Sequence, residues 1–358
     1  MTDRTDRTDR TERERLLALV GQFVGKRILV LGDMVADEYI YGSPMKLSRE
    51  APVLVLKRRE SRIAPGGALN PAVNAAALGA DVYLAGVIGT DEPGRRLRAH
   101  LAALGVSMGG LFDEPGRPTS TKTRVLAGNT QLVQQQIVRI DQVDDSDLET
   151  ATQQRLIAYL TATIPQMDAL IISDYENGVI SPRVLEAALP LARELGKVVV
   201  ADSHGNLARF SGVTALTPNQ PEAEQMLSWE IISPATLDRA GAELLEKTGV
   251  AAVLLTRGSD GMSLFVRDAA PCHIPASNLT EVADPTGAGD TVAATFALAL
   301  TACPEDDPHR FCDAALLANL AAGLVVRHVG CATNTPAELM AAVRAAGASL
   351  AESDGHDG

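Results

Sequence analysis

Aromatic side chains are scarce in this chain: Phe, Trp and Tyr make up 3% of 358 residues, while hydrophobic residues reach 46%. That shortage, with Ala, Leu and Val abundant, suits helices layered on a β-sheet better than an all-β sandwich. No apolar run is long enough to span a membrane. The N-terminus, MTDRTDRTDRTERER, is a charged triplet repeat without the apolar core of a secretory signal. Excess positive charge is missing as well. Lys and Arg number 32 against 45 Asp and Glu, a net −13 that disfavours nucleic acid or an anionic membrane as partner. A local basic pocket on such a chain can still receive an anionic small molecule. The four cysteines, Cys272, Cys303, Cys312 and Cys331, form no C-x-x-C pair, and His309 and His328 fit no zinc-ligand spacing. Free intracellular thiols and a cytoplasmic location are expected.

What is present is a regular alternation. RILVLGD (27–33), DVYLAGVIG (81–89), DALIISD (168–174), KVVVAD (197–202), ALTPN (215–219) and AAVLLTR (251–257) read as strands, and 261–268 as hairpin-like. Helices are predicted over 66–79, 92–105, 181–195, 234–248, 287–302, 307–327 and 336–347, with a first one near Glu14–Phe23 behind a disordered tail. Apolar strands alternating with helices predict an α/β fold, a mostly parallel sheet covered on both faces. Two segments break the pattern, 38–61 and 120–141, the second around a Gly128-Asn129 hairpin signal. They predict a small antiparallel β lid projecting from the core, serving as lid, dimer surface or decoration. The acidic end 346–358 is expected to be disordered.

The segment Asp284-Pro-Thr-Gly-Ala-Gly-Asp290 runs straight into the apolar stretch TVAATFALALTA. Glycines at a helix start lower its stability, so another role is implied. The turn exposes backbone N–H groups with no intrahelical partner, at the positive end of the helix dipole, and together these make an anion hole. Gly287, Ala288 and Gly289 leave room for a phosphoryl group to approach, and Asp290 is placed to take a proton from an attacking hydroxyl. A carboxylate at a helix start is equally a plain helix stabiliser. No G-x-x-x-x-G-K-[ST] loop occurs, and GDMVAD after the first strand is a poor G-x-G-x-x-G, so P-loop and dinucleotide readings have little support.

DPTGAGD, GG-x-x-N-x-A-x-N-A-A at 66–76, and Thr217-Pro-Asn-Gln-x-Glu222 between them resemble the signatures of the ribokinase-like sugar kinases, the phosphofructokinase-B family. The resemblance covers residues 26–345 and implies a three-layer core, ATP, Mg²⁺ and an activating K⁺. It implies that Asp290 is the catalytic base, with the amides of Gly287 to Asp290 as the anion hole. Asp33, Asp37, Gly66, Gly67 and Asn70 would hold sugar hydroxyls. Asn219 and Glu222 would hold the triphosphate and, through water, its Mg²⁺. Thr256, Gly258, Ser259 and Gly261 would form the nucleotide loop, and Asn334 an adenine contact. Asp284 would help bind the monovalent cation, although an Asx turn uses the same residue type.

Within that family, KLSREAPV (46–53), SDYENGVIS (173–181) and ADSHGN (201–206) are similar to the kinases of D-glycero-D-manno-heptose 7-phosphate, which act toward the lipopolysaccharide inner core. Asn177 and His204 stand where lysine is commoner in that subgroup and are given no role. Lys122 and Arg124 alternate on TSTKTRV, hence share a face, and suit a sugar's phosphate; a solvated lid surface is the plain alternative. Lys57, Arg58 and Arg59 read as an exposed strand face. Nothing after residue 345 resembles the Gly-x-Phe-Asp…His-x-Gly-His motif of a fused nucleotidyltransferase, so a stand-alone kinase is expected, with a homodimer through the β lid. The rivals are a kinase for another sugar, a catalytically silent sugar or nucleotide sensor, and, more distantly, a dehydrogenase.

Overall fold

Strand β1 (Arg27–Gly32) shows how the layers arise. Successive strand side chains point to opposite faces, and here both faces are apolar. Ile28 and Val30 enter one buried cluster while Leu29 and Leu31 enter another. A strand buried on both faces belongs at the middle of a three-layer domain.

The structure, a computed structural model, describes residues 2–129, 132–278 and 282–353. The first half contains α1 (Thr2–Gly21), β2 (Met34–Leu47), β3 (Leu54–Gly67), α2 (Leu69–Ala77), β4 (Asp81–Ile88), α3 (Glu92–Ala103), β5 (Ser107–Asp113), β6 (Ser120–Asn129) and β7 (Leu132–Gln142). Next come α4 (Thr150–Thr163), β8 (Ala169–Asp174), α5 (Pro182–Glu194), β9 (Val198–Ser203), β10 (Ala215–Leu216), α6 (Gln220–Leu227) and α7 (Pro234–Thr248). The last part holds β11 (Ala252–Thr256), β12 (Met262–Val266), β13 (Cys272–Ile274), α8 (Ala288–Ala302), α9 (Arg310–Val325) and α10 (Pro336–Ser353).

Nine strands form the main sheet in the order β13-β12-β11-β10-β9-β8-β1-β4-β5. Pairings from β5 through β11 are parallel, and β12 and β13 add an antiparallel edge. Helices α4 to α7 cover one face, while α1, α2, α3, α8, α9 and α10 cover the other. Helix α8 is apolar all round and buried from Asp290 to Leu300, so it lies inside its layer rather than on it. Its first turn lines a cleft, with Gly289 exposed and Asp290 buried.

The smaller sheet has the order β3-β2-β6-β7. Both β2–β3 and β6–β7 are antiparallel hairpins, joined through a parallel β2–β6 pairing that sets Asp37 beside Lys122 and Tyr39 beside Arg124. The predicted Gly128-Asn129 turn is displaced: β6 continues through Asn129, which pairs with Leu132, and the link at 130–131 lies outside the described residues.

Four elements were not foreseen, β5, α4, α6 and β13. The ends also differ from expectation. Helix α1 spans Thr2–Gly21 rather than starting near Glu14. Helix α10 runs on to Ser353, past the expected boundary, and 354–358 lie outside the described residues. Among the described residues, no helix is long and apolar enough to cross a membrane.

Candidate active site

Loops at the carboxyl ends of the parallel strands meet the first turn of α8 and the inner face of the small sheet. Open α/β sheets bind ligands at that edge. Gly287 precedes α8 with φ of 80°, a left-handed conformation that favours glycine, and a Cβ there would lie 2.5 Å from the Asn70 amide. The first intrahelical bond runs from the Thr291 amide to the Gly287 carbonyl at 3.0 Å. A Cβ on Gly289 would meet nothing within 4 Å, so the approach to this turn is open.

Asp290 is buried in that turn. Its Oδ2 accepts a hydrogen bond from Asn70 Nδ2 at 2.7 Å, and the Tyr175 hydroxyl lies 3.4 Å from Oδ1. Burial, then the charge of Asp202, pushes the Asp290 carboxyl up to about 8, with the Asn70 hydrogen bond opposing the rise. A carboxylate poised near neutrality suits proton abstraction.

Toward the small sheet, Arg124 Nη1 donates to Asp37 Oδ1 at 2.6 Å and its guanidinium lies 5.4 Å from the centre of the Tyr39 ring. Lys122 Nζ sits 4.6 Å above the Tyr175 ring. Both cations thus face inward. Gly66 is required by close approach, since a Cβ there would lie 2.6 Å from Asp37 Oδ2, and Gly67 turns the chain into α2 with φ of 54°. Lys57, Arg58 and Arg59 are exposed on β3, outside this end of the site.

On the other side of Asp290 lies a cleft of about 640 Å³. Its walls include Asn219, Glu222, Thr256, Gly258, Ser259, Gly261 and the turn from Gly287 to Asp290. Asn219 and Glu222 form a capping box at the start of α6: the Glu222 amide donates to Asn219 Oδ1 at 2.9 Å and the Asn219 amide to Glu222 Oε2 at 2.8 Å. The other oxygen, Glu222 Oε1, lies 2.5 Å from His204 Nδ1, and that contact raises the imidazole's affinity for a proton. Asp202 faces the same cleft; burial, then the charge of Glu222, pushes its carboxyl up to about 6.

Two expected residues are placed differently. Asp33 is buried and accepts hydrogen bonds from the amides of Tyr175, Asn177 and Val179 at 2.8, 3.2 and 3.3 Å. Its carboxylate holds the 175–179 loop rather than facing the open site; desolvation raises its pKa to about 6 against those bonds. Asn334 is also buried, donating to the Ala321 carbonyl at 2.8 Å, and is not among the cleft's walls, where Asn319 stands instead. Asp284 ties two loops together, accepting from the Thr286 and Gly330 amides at 2.9 Å each. Desolvation opposes its ionisation, but those bonds and the Thr286 hydroxyl hold its carboxyl below the ordinary range.

Tyr175, Asp202 and His204 were not foreseen as site residues, yet all three line the cleft. Tyr175 and His204 meet edge to face, ring centroids 4.5 Å apart. The available signal was positional, because SDYENG and ADSHGN lie at the carboxyl ends of parallel strands β8 and β9.

Residues 26–338 match the profile of the pfkB family carbohydrate kinase. The chain is 43% identical over 313 residues to the Bifunctional protein HldE of Geobacter metallireducens, covering 87% of this chain and 62% of that protein. With the Bifunctional protein HldE of Caulobacter vibrioides it shares 39% over 335 residues, 93% of this chain and 66% of that one. The chain thus spans less than two thirds of the length of these curated relatives. Among solved structures, Arabidopsis thaliana ribokinase complexed with ribose and ATP superposes with a TM-score of 0.69 at 19% identity, over 90% of this chain and 99% of that one. Escherichia coli phosphofructokinase-2 in complex with substrates and products gives 0.70 at 17%, with the same coverages. These likenesses show a ribokinase-like fold, a large mostly parallel sheet with a smaller β-sheet beside it. With its signature turn at the head of α8 and only Asp290 of that turn buried, the chain belongs to the pfkB family of carbohydrate kinases.

Proposed function

We propose that the protein transfers the γ-phosphoryl group of ATP to the anomeric C1 hydroxyl of D-glycero-D-manno-heptose 7-phosphate, giving the 1,7-bisphosphate and ADP. The observation that carries this reading is Asp290, a buried carboxylate in the first turn of α8, between a cleft on one side and two inward cations on the other. Asp290 takes the C1 hydroxyl proton as that oxygen attacks the γ-phosphorus. The bond to the bridging oxygen breaks and ADP leaves. The amides from Gly287 to Asp290 receive the charge that spreads over the phosphoryl oxygens.

ATP lies along Asn219, Glu222, Thr256, Gly258, Ser259 and Gly261, and the sugar lies against Asp37, Gly66, Gly67 and Asn70. Glu222, with Asp202 across the cleft, suits a Mg²⁺ ion held largely through water, because two carboxylates supply the hard oxygen donors it prefers. Bound there, Mg²⁺ would neutralise charge on the triphosphate. Asp284, kept ionised between two loops, is the side chain suited to K⁺.

Heptose 7-phosphate as acceptor rests on the motif resemblance and on Lys122 and Arg124, which offer a point charge and a planar fork to its phosphate. The test is ADP release with Mg-ATP and K⁺, comparing heptose 7-phosphate, unphosphorylated heptose, fructose 6-phosphate and ribose. Turnover confined to heptose 7-phosphate is expected; turnover with ribose alone would overturn the acceptor and leave Asp290 its role. Asp290→Asn should lower kcat by about 10²–10⁴-fold while both substrates still bind. A near-normal rate would remove Asp290 as the base.

A further inference from the structure

Asn70 touches Asp290 through one end of a side-chain amide, and such an amide can present either a donor or an acceptor. Only the donor end favours an ionised Asp290. The contacts around Asn74, one helical turn further along α2, decide which end faces it. Asn74 Nδ2 lies 3.0 Å from the main-chain carbonyl oxygen of Asn70, a group that carries no proton. That end of Asn74 must therefore be the NH₂ group. The same NH₂ lies 3.2 Å from Asn70 Oδ1, which must then be an acceptor, leaving the NH₂ of Asn70 to face Asp290 at 2.7 Å. The far end of Asn74 is held in turn: Thr291 Oγ1 donates to Asn74 Oδ1 at 3.0 Å. The Gly287 carbonyl, which also accepts the Thr291 amide, lies 3.1 Å from the same hydroxyl and is a second acceptor for its one proton. All three side chains are buried, so losing a partner costs more than at the surface.

We propose that Asn74 is a positioning residue for phosphoryl transfer: it locks the Asn70 amide in the donor orientation toward Asp290. The chain of bonds starts at the Asn70 backbone carbonyl, which can only accept and so fixes the orientation of both side-chain amides, and it reaches α8 through the Thr291 hydroxyl. Without Asn74 the Asn70 amide is free to turn its oxygen to Asp290, which disfavours the carboxylate. The other titratable groups facing Asp290 are Asp202 and His204 after β9, Asp37 on β2, Tyr175 after β8 and Cys331 in the loop before α10. None of them bonds to Asn74 among the described contacts. The inference rests on the reading of Asp290 as the base.

The experiment is the pH profile of kcat for wild type and Asn74→Leu, which keeps the branched shape and removes both polar ends. The acid limb should move up by about one pH unit, with kcat at pH 7 falling roughly tenfold, recovery near pH 9, and KM for both substrates within about twofold. A loss of equal size at every pH, or no loss at all, would overturn the proposal. Should Asn74→Leu fail to fold, Thr291→Val keeps the apolar volume and removes the hydroxyl that holds Asn74, and a smaller shift in the same direction is expected. Titration of the Asp290 carboxyl by ¹³C NMR in both proteins needs no acceptor. An upward shift in the variant supports the relay even if no sugar is turned over, and an unchanged value defeats it.

Discussion

Asp290 binds its proton more tightly in the folded chain than in the unfolded one, because burial and the charge of Asp202 push its carboxyl from the ordinary 3.8 up to about 8. Between those values the native state holds more protons than the unfolded state. The stability this group contributes is therefore complete below about pH 4 and is lost as pH rises toward 8. Asp33 and Asp202, raised to about 6, act with the same sign, but they are shared by wild type and any variant at position 290. Asp290→Asn has no proton to lose, so its Tm should exceed that of the wild type by roughly 2–5 °C at pH 8 and converge with it near pH 4. Parallel Tm curves across that range would show that burial does not govern this carboxyl. At this scale the signature motif was legible, and so was the glycine requirement. Asp33 was not, because a carboxylate at a strand end reads the same whether it faces a ligand or three backbone amides.

The first turn of α8 works as an element because its glycines serve different ends. Gly289 faces open space, so Gly289→Ala should fold with a near-normal Tm yet lose about 10²-fold in kcat, since its methyl group enters the space of the phosphoryl group. Gly66→Ala, on β3, should instead lower stability by about 1–3 kcal/mol as its Cβ meets the Asp37 carboxylate, with sugar binding weakened beside it. Thermal denaturation beside steady-state kinetics separates the two. If Gly289→Ala turns over normally, the open turn does not receive the phosphoryl group.

Element boundaries followed the clarity of the apolar stripe. Helix α7 lies where its period predicts, with Ser233 and Gly249 closing its ends. Helix α4 buries Thr152, Gln153 and Thr163 beside Leu156 and Leu160, so polar residues blur its stripe. Helix α6 was hidden by its own motif. The Asn219…Glu222 spacing expected to hold phosphate is also the capping box that starts the helix.

Taken whole, the molecule leaves part of its small sheet bare. Met45, Leu47, Val53, Ile137, Val138 and Ile140 are exposed large apolar side chains, and β7 forms a free edge. Exposed apolar edges of this kind favour pairing, which supports the proposed homodimer through the lid. Light scattering should give twice the 37.6 kDa chain mass, and Ile140→Asp should shift it toward the single-chain value. A wild-type mass of one chain would remove the dimer.

The sequence by itself determined the layered α/β core, the order of most of its elements and the identity of the signature turn, because these rest on local periodicity and on residue types that few other conformations require. Tertiary structure alone decided that β2 and β6 pair in parallel, which brings Arg124 onto Asp37, and that Tyr175 and His204 join the cleft. It also decided that Asn74, Asn70, Asp290 and Thr291 form one relay between two helices more than 200 residues apart. Such contacts depend on burial and on which face meets which, and no local pattern encodes either.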